Sequence, residues 1–142
     1  MNRFKKLSHT IYECKYHVVI CPKYRYRVLK DEIAEYTRQQ LYRLANQKDL
    51  VEILEMNIRP EHVHMILSIP PKYGVSHIMG FLKGKVSIHL FDRYEKLGKR
   101  YWGRHFWSRG YCVSTVGLDE EMIRKYVKYQ EDKERQSETP KY

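Results

Sequence analysis

The sequence predicts an α+β fold in one domain, in which an antiparallel sheet is covered on one face by two helices. Three observations support this prediction. The chain has 142 residues, the length of a single domain with its own core. Four short apolar segments are typical of β-strands, and longer segments carry apolar residues at helical spacing. The segments follow one another in the order β-α-β-β-α-β, and one more helix follows the last strand.

The first half of the chain contains three predicted strands and one helix. Residues 13–21 are typical of a strand that ends at Pro22. Residues 51–58 and 62–69 predict a hairpin around the tight connection Arg59-Pro60-Glu61. A helix is predicted from 31 to 48 because apolar side chains recur there at helical spacing. These side chains are Ile33, Tyr36, Thr37, Leu41 and Leu44.

The second half adds two helices and one strand. Apolar spacing predicts a helix from Val75 to about Tyr94, and residues 110–117 predict a strand between glycines. A final helix begins near Asp119, where acidic residues precede basic ones as the helix dipole favours. The first six elements match the split β-α-β, ferredoxin-like (RRM-like) unit. Residues 132–142 are predicted to form a frayed tail.

Two histidines one residue apart interrupt the predicted strand 62–69. Side chains alternate along a strand, so one face carries His62, His64, Ile66 and Ser68. The other face is wholly apolar and carries Val63, Met65, Leu67 and Ile69. The apolar set is predicted to lie beneath the helices, which leaves the histidines on the open face, roughly 7 Å apart. Two such imidazoles can bind one cation, or they can be surface groups that stack on bases. The strand pattern leaves both possibilities open.

Two polar side chains stand on the apolar stripe of the final helix. Met122, Tyr126 and Gln130 are spaced by four residues and therefore share one face. Tyr126 can be an ordinary amphipathic core tyrosine. A buried carboxamide at Gln130 must find hydrogen-bond partners, which favours a site at this stripe.

The charge balance indicates a nucleic-acid partner. The chain has 27 basic and 17 acidic residues, and thirteen tyrosines and two tryptophans are interleaved with the basic ones, above all in residues 21–30 and 99–111. Cations bind phosphates and aromatic rings stack on unpaired bases, so the mixture is typical of single-strand binders. A merely solvated basic surface is the alternative. The candidate contact residues are Lys23, Arg25, Arg27, Arg104 and Arg109.

Cysteine use and hydropathy disfavour several classes of protein. The three cysteines form no C-x-x-C pair, which disfavours a disulfide scaffold or a zinc–thiolate site. No apolar run approaches the roughly 20 residues of a membrane-spanning helix, and no secretory signal is recognisable. We therefore expect a cytoplasmic, nucleoid-associated protein.

The segment Pro60-Glu61-His62-Val63-His64 resembles the motif of HUH endonucleases. Five blocks, in order along nearly the whole chain, resemble the small single-tyrosine HUH transposases of bacterial and archaeal insertion sequences. The transposases associated with REP (repetitive extragenic palindromic) sequences are close relatives. The blocks are residues 17–29, 59–76, 81–87, 101–117 and 123–130.

The resemblance implies a ferredoxin-like sheet followed by a helix that carries a nucleophilic tyrosine. It makes Tyr126 the nucleophile, and it makes His62, His64 and Gln130 ligands of a divalent metal, Mg²⁺ or Mn²⁺. Tyr129 faces elsewhere on the helix and is the weaker candidate. The family cleaves and rejoins single-stranded DNA with hairpin ends through a 5′-phosphotyrosine, and it acts as a homodimer whose active sites are shared between subunits.

Two other functions stay open. A non-catalytic RRM-like module that binds RNA has the same order of elements, although the chain lacks an RNP-type Gly-Phe-x-Phe run and has histidines where such modules have stacking aromatics. A domesticated relative that acts on host repeat hairpins keeps the same active-site residues, so the sequence cannot separate it from a mobile transposase.

Overall fold

The structure, a computed structural model, describes residues 5–7, 10–101 and 105–116. The predicted final helix lies outside these ranges, and with it Tyr126, Tyr129 and Gln130. Arg104 also lies outside them. None of the helices in the described ranges is both long enough and apolar enough to cross a bilayer.

Six strands and three helices form the described part of the chain. The strands are β1 (Lys5–Leu7), β2 (Thr10–Tyr12), β3 (Lys15–Ile20), β4 (Glu52–Arg59), β5 (His62–Ser68) and β6 (Cys112–Thr115). The helices are α1 (Asp31–Ala45), α2 (Val75–Arg93) and α3 (Glu95–Arg100). A single 3₁₀ turn, Lys23–Arg25, follows β3.

The main sheet has four antiparallel strands in the order β4-β5-β3-β6. This is the strand order of a ferredoxin-like unit, so the predicted α+β, ferredoxin-like class is confirmed. The small β1–β2 sheet and α3 were not predicted from the sequence. Strands of three residues are too short to show a periodicity, and α3 is separated from α2 only by the non-helical Tyr94.

One face of the sheet and the two long helices enclose the core. Val18 of β3 and Met65 of β5 are directly paired, and their side chains lie in the same buried cluster as those of α1 and α2. The helices contribute Leu41, Leu44, Ile78, Met79, Leu82 and Val86. The core therefore lies where the alternation along the strands predicts it.

A β-bulge in β4 keeps its apolar side chains on the core face. Ile53 pairs with Leu67, whereas the next pair joins Glu55 to Ile66, so Leu54 is an extra residue without an opposite partner in β5. The bulge shifts the alternation by one residue and leaves Met56 facing Met65 in the core. Leu54 itself is exposed.

The second face of the sheet is buried at its two inner strands. The register places His64 opposite Val19, and it places Ile66 opposite His17, which confirms that His62, His64 and Ile66 share a face. The expectation that this face is open is wrong, because His62 is 4% and His64 1% exposed. Alternation determines which side chains share a face, but it carries no information about what packs against that face.

Lys83 of α2 holds the segment that leads into β6. Its Nζ donates to the carbonyl oxygens of Ser108 (2.9 Å) and Gly110 (2.6 Å). In return, the indole Nε1 of Trp107 donates to the carbonyl of Lys83 at 3.1 Å. Gly110 adopts φ 73°, a left-handed conformation that glycine accepts without strain. Burial lowers the pKa of Lys83.

Replacing this ammonium should therefore cost stability. We expect Lys83→Met to lower the free energy of unfolding by roughly 1–3 kcal/mol, because two carbonyls lose a charged donor. The control is Lys85→Met, an exposed lysine on the same helix, which should change little. Urea unfolding followed by circular dichroism measures both, and equal stability of the two variants would contradict the role given to Lys83.

Candidate metal centre and nucleic-acid interface

Three imidazoles meet on the buried second face of the sheet. His62 and His64 come from β5, and their ring centroids are 4.5 Å apart with nearly perpendicular planes. His17 comes from β3, the neighbouring strand, and its centroid lies 5.5 Å from that of His64. His17 is 1% exposed, so the whole cluster is shielded from solvent.

Each of the two predicted metal ligands has its Nδ1 in contact with a neighbouring side chain. The Nδ1 of His62 lies 3.2 Å from Oε1 of Glu61, and the Nδ1 of His64 lies 3.2 Å from Nε2 of His17. In metal sites, a neighbouring group that contacts the ring nitrogen not bound to the metal orients each histidine ligand. A metal held by this pair would therefore be bound through the two Nε2 atoms.

The described side chains supply some of the ligands that a metal site needs, but not all of them. In the described ranges, no group of three or more His, Cys, Asp or Glu side chains is arranged to hold a metal ion. Nε2 of His17 is not available as a third ligand, since it lies against Nδ1 of His64. Two imidazoles suit a borderline cation and need oxygen ligands beside them, a requirement that an amide oxygen such as that of Gln130 would satisfy. The position of Gln130 lies outside the described residues.

The burial of His17 has an electrostatic consequence. Desolvation lowers the pKa of this imidazole to about 4 from an ordinary value of 6.5. His17 is therefore neutral at pH 7, with one ring nitrogen that donates and one that accepts.

Glu61 connects the histidine pair to a basic segment. Its Oε2 accepts a hydrogen bond from Arg27 at 2.7 Å while its Oε1 lies against His62. Arg27 was predicted to contact nucleic acid, and its exposed guanidinium makes this ion pair at the end of the β4–β5 hairpin.

Two basic segments that are far apart in the sequence lie side by side. The amide of Lys23 donates to the carbonyl of Phe106 at 2.7 Å, and the amide of Ser108 donates to that of Cys21 at 2.8 Å. Pro22 and Trp107 form an isolated β-bridge between them. We call residues 21–27 together with 105–110 the basic loop pair. It brings the predicted contact residues Lys23, Arg25 and Arg27 close in the fold to the segment that carries the exposed Arg109.

Tyr24 is the exposed aromatic residue of the basic loop pair. It is 61% exposed and has φ 64°, and Arg25 beside it has φ 54°, both in the left-handed region that non-glycine residues rarely adopt. The Nζ of Lys23 lies 5.4 Å from the Tyr24 ring centroid, and the ring of Tyr26 lies at the same distance on a tilted plane. A cation and an aromatic surface are thus held together in solvent.

Some of the aromatic residues expected to stack on bases belong to the core. Trp107 is only 7% exposed and packs edge-on against Phe106. His17, Glu61 and Tyr24 were not among the site residues predicted from the sequence. A signal existed for His17, which is a polar residue inside the apolar run of β3. Tyr24 gives no such signal, because a tyrosine rarely adopts a left-handed backbone and the local sequence has no pattern that predicts one.

Comparisons with known proteins agree on one family. A sequence model of the family described as transposase IS200-like matches residues 10–130. The chain is 42% identical over 134 residues to the transposase for insertion sequence element IS200 of Salmonella typhimurium, covering 94% of this chain and 88% of that protein. It is 35% identical over 131 residues to the transposase of ISDra2 from Deinococcus radiodurans, covering 92% and 93% respectively.

Solved structures give the same result at the level of the fold. A crystal structure described as that of a transposase from Deinococcus radiodurans R1 superposes with a TM-score of 0.74 at 30% identity, covering 90% of this chain and 96% of the other. A REP-associated tyrosine transposase bound to a REP hairpin superposes with a TM-score of 0.60, covering 88% and 68%. Its identity is 15%, so this second likeness is one of fold.

The lowered pKa of His17 predicts a stability that depends on pH. The unfolded chain binds a proton on this ring near pH 6.5 and the folded chain near pH 4, so the unfolded state holds more protons between these values. The contribution is fully present above pH 6.5, decreases steadily as the pH falls from 6.5 to 4, and is absent below 4. We expect a loss on the order of 2 kcal/mol between about pH 7 and about pH 5.

Urea unfolding in EDTA at the two pH values measures this loss. His17→Gln should flatten the dependence, since the amide does not titrate, whereas the exposed-site control His77→Gln should keep it. An unchanged pH dependence in His17→Gln would contradict the assignment.

Proposed function

The chain belongs to the IS200-like transposase family, and we propose that it cleaves and rejoins single-stranded DNA at the ends of an insertion sequence through a covalent 5′-phosphotyrosine. The observation that carries the proposal is the pair His62 and His64, two residues apart on the same face of one strand and each contacted at Nδ1 by a neighbouring side chain. This is the arrangement expected of two metal ligands with their orienting partners.

His62, His64 and Gln130 would hold a divalent cation, Mg²⁺ or Mn²⁺. When bound there, the cation would supply positive charge that offsets the negative charge of the phosphodiester and favours nucleophilic attack on it. On the protein side, Glu61 and His17 would keep the two imidazoles in place. The burial of both rings would keep bulk water away from their nitrogens.

Tyr126 would act as the nucleophile. Its phenolic oxygen forms a bond to phosphorus while the bond from phosphorus to the 3′ oxygen breaks, and that oxygen leaves as a 3′-OH after taking up a proton. The DNA stays attached to the protein through its 5′ phosphate. Attack by a 3′-OH on this phosphotyrosine reverses the step and joins strands without an external energy source. Tyrosine side chains in general are protonated at neutral pH, since their reference pKa is about 10, so the phenol's proton must pass to an acceptor as the oxygen attacks.

The basic loop pair would bind the DNA strand. Lys23 and Arg109 supply cations for phosphates, and the exposed ring of Tyr24 supplies a stacking surface for an unpaired base. Arg25 and Arg27 belong to the same proposed surface. Arg104 lies outside the described residues and stays a predicted contact residue. We propose hairpin ends as the recognised feature, a proposal supported by the REP hairpin bound to the fold relative.

The alternative of a non-catalytic RRM-like module is disfavoured by burial. At 4% and 1% exposure, the rings of His62 and His64 offer no face on which a base can stack. The domesticated relative that cleaves host repeat hairpins would use the same residues. It differs in its DNA target, which an assay with both kinds of hairpin distinguishes.

The covalent intermediate provides the decisive test of the function. We expect wild-type protein to form a covalent adduct with labelled single-stranded DNA carrying the element's ends in the presence of Mn²⁺, visible on a denaturing gel. Tyr126→Phe should abolish the adduct while DNA affinity stays within a few-fold, because only the phenolic oxygen is lost. Tyr129→Phe serves as the control. An adduct that persists in Tyr126→Phe and disappears in Tyr129→Phe would assign the nucleophile to the other tyrosine.

A mixing experiment tests the proposed homodimer with shared active sites. His64→Ala and Tyr126→Phe should each be inactive alone. In a mixed dimer with shared sites, one site keeps an intact histidine pair and an intact tyrosine. The adduct should then form on the His64→Ala chain, which a size tag identifies. No adduct in the mixed population would mean that each subunit completes its own site.

The stacking role of Tyr24 is tested by binding alone. We expect Tyr24→Ala to weaken binding of a labelled oligothymidine in EDTA by about 1–3 kcal/mol, the usual contribution of one stacked base. Tyr24→Phe should bind like wild type because stacking does not need the hydroxyl. The matched control is Tyr42→Ala, an exposed tyrosine on α1. Fluorescence anisotropy measures all four proteins, and equal losses in the Tyr24 and Tyr42 variants would contradict a specific role.

A further inference from the structure

The rings of His17 and His64 are placed as a hydrogen bond between two ring nitrogens requires. The two ring planes differ by 5°, the centroids are 5.5 Å apart, and Nε2 of His17 lies 3.2 Å from Nδ1 of His64. The centroid separation is close to the N···N distance plus the distance from each centroid to its own nitrogen. The two rings must therefore lie edge to edge in nearly one plane, as a linear N–H···N hydrogen bond requires.

A hydrogen bond between two neutral imidazoles can be made in two ways. Either Nδ1–H of His64 donates to Nε2 of His17, or Nε2–H of His17 donates to Nδ1 of His64. In the first arrangement the lone pair of His64 is on Nε2, where a cation can bind. In the second, Nε2 of His64 carries a hydrogen and cannot be a metal ligand.

We propose that His17 is a positioning residue for His64: it accepts the Nδ1–H hydrogen bond and thereby fixes the tautomer of His64 that directs the Nε2 lone pair towards the proposed cation. The choice of this tautomer rests on the proposed function, because only this arrangement leaves a lone pair for the cation, whereas the measurement that tests the tautomer needs no metal. His17 then has its own hydrogen on Nδ1.

The contrast with His62 explains why an imidazole suits this position. The partner of His62 is the carboxylate of Glu61, which lies at the hairpin turn and is neutralised by the exposed Arg27. His17 lies in the middle of an inner strand and is 1% exposed. A carboxylate there would bury a negative charge at high cost, while a neutral imidazole offers an acceptor without one.

The tautomer can be observed directly in metal-free protein. Long-range ¹H–¹⁵N NMR spectra of histidine-labelled protein in EDTA distinguish a protonated Nδ1 from a protonated Nε2. We expect wild-type His64 to carry its hydrogen on Nδ1. His17→Gln should preserve this tautomer because an amide oxygen can take the place of Nε2, whereas His17→Leu should shift His64 towards the Nε2–H form. A wild-type His64 with its hydrogen on Nε2 overturns the proposal.

Metal affinity gives a second readout that does not involve DNA cleavage. Titration with Mn²⁺ followed by electron paramagnetic resonance should show a loss of about 10- to 100-fold in His17→Leu, the usual effect of removing a residue that orients a ligand. His17→Gln and the exposed-site control His77→Leu should stay close to wild type. Urea unfolding of each variant identifies any general loss of structure.

The outcomes separate this inference from the proposed function. If wild-type protein binds no Mn²⁺, the metal site of the proposed function is wrong, and the NMR spectra still decide the role of His17. If His64→Ala loses Mn²⁺ while His17→Leu binds it like wild type, the metal site stands and the positioning role of His17 is refuted.

Discussion

Three imidazoles buried on one face of an antiparallel sheet constrain the structure around them. An imidazole inside a protein needs partners for its ring nitrogens, because an unsatisfied polar group in the interior is costly. The fold meets this need locally for the two histidines of β5. Glu61 at the hairpin turn faces His62, and His17 from the adjacent strand faces His64. The sheet order places β3 directly beside β5, so the partner of His64 is provided by the topology itself.

The interface for DNA and the histidine pair are not independent parts. Arg27 belongs to the basic loop pair and Glu61 accepts its hydrogen bond while contacting His62. The basic loop pair is in turn held by backbone pairing between residues 21–23 and 106–108, and Lys83 holds the far side of the second segment. A short chain of polar contacts thus runs from the surface proposed to bind phosphates to the histidines proposed to bind the cation.

Periodicity in the sequence carried enough information to predict the sheet and its two covering helices. It also predicted which residues of β5 share a face, because alternation is a local property of a strand. It could not predict the burial of His62 and His64, which depends on what covers the sheet. It could not predict that His17 faces His64 either, since 47 positions separate the two residues and only the strand order brings them together. The left-handed backbone and the exposure of Tyr24 likewise have no local pattern in the sequence that predicts them.

The irregularity of β4 has a consequence for how copies of the chain behave together. Among the described residues, β4 is an outer strand of eight residues, and a flat outer strand is a template on which another chain can add by hydrogen bonding. The extra Leu54 interrupts the regular row of donors and acceptors, and the charged side chains of Glu52 and Glu55 stand on either side of it. The same bulge that keeps Met56 in the core therefore also opposes intermolecular sheet growth and the fibrous aggregation that follows from it wherever many copies are concentrated.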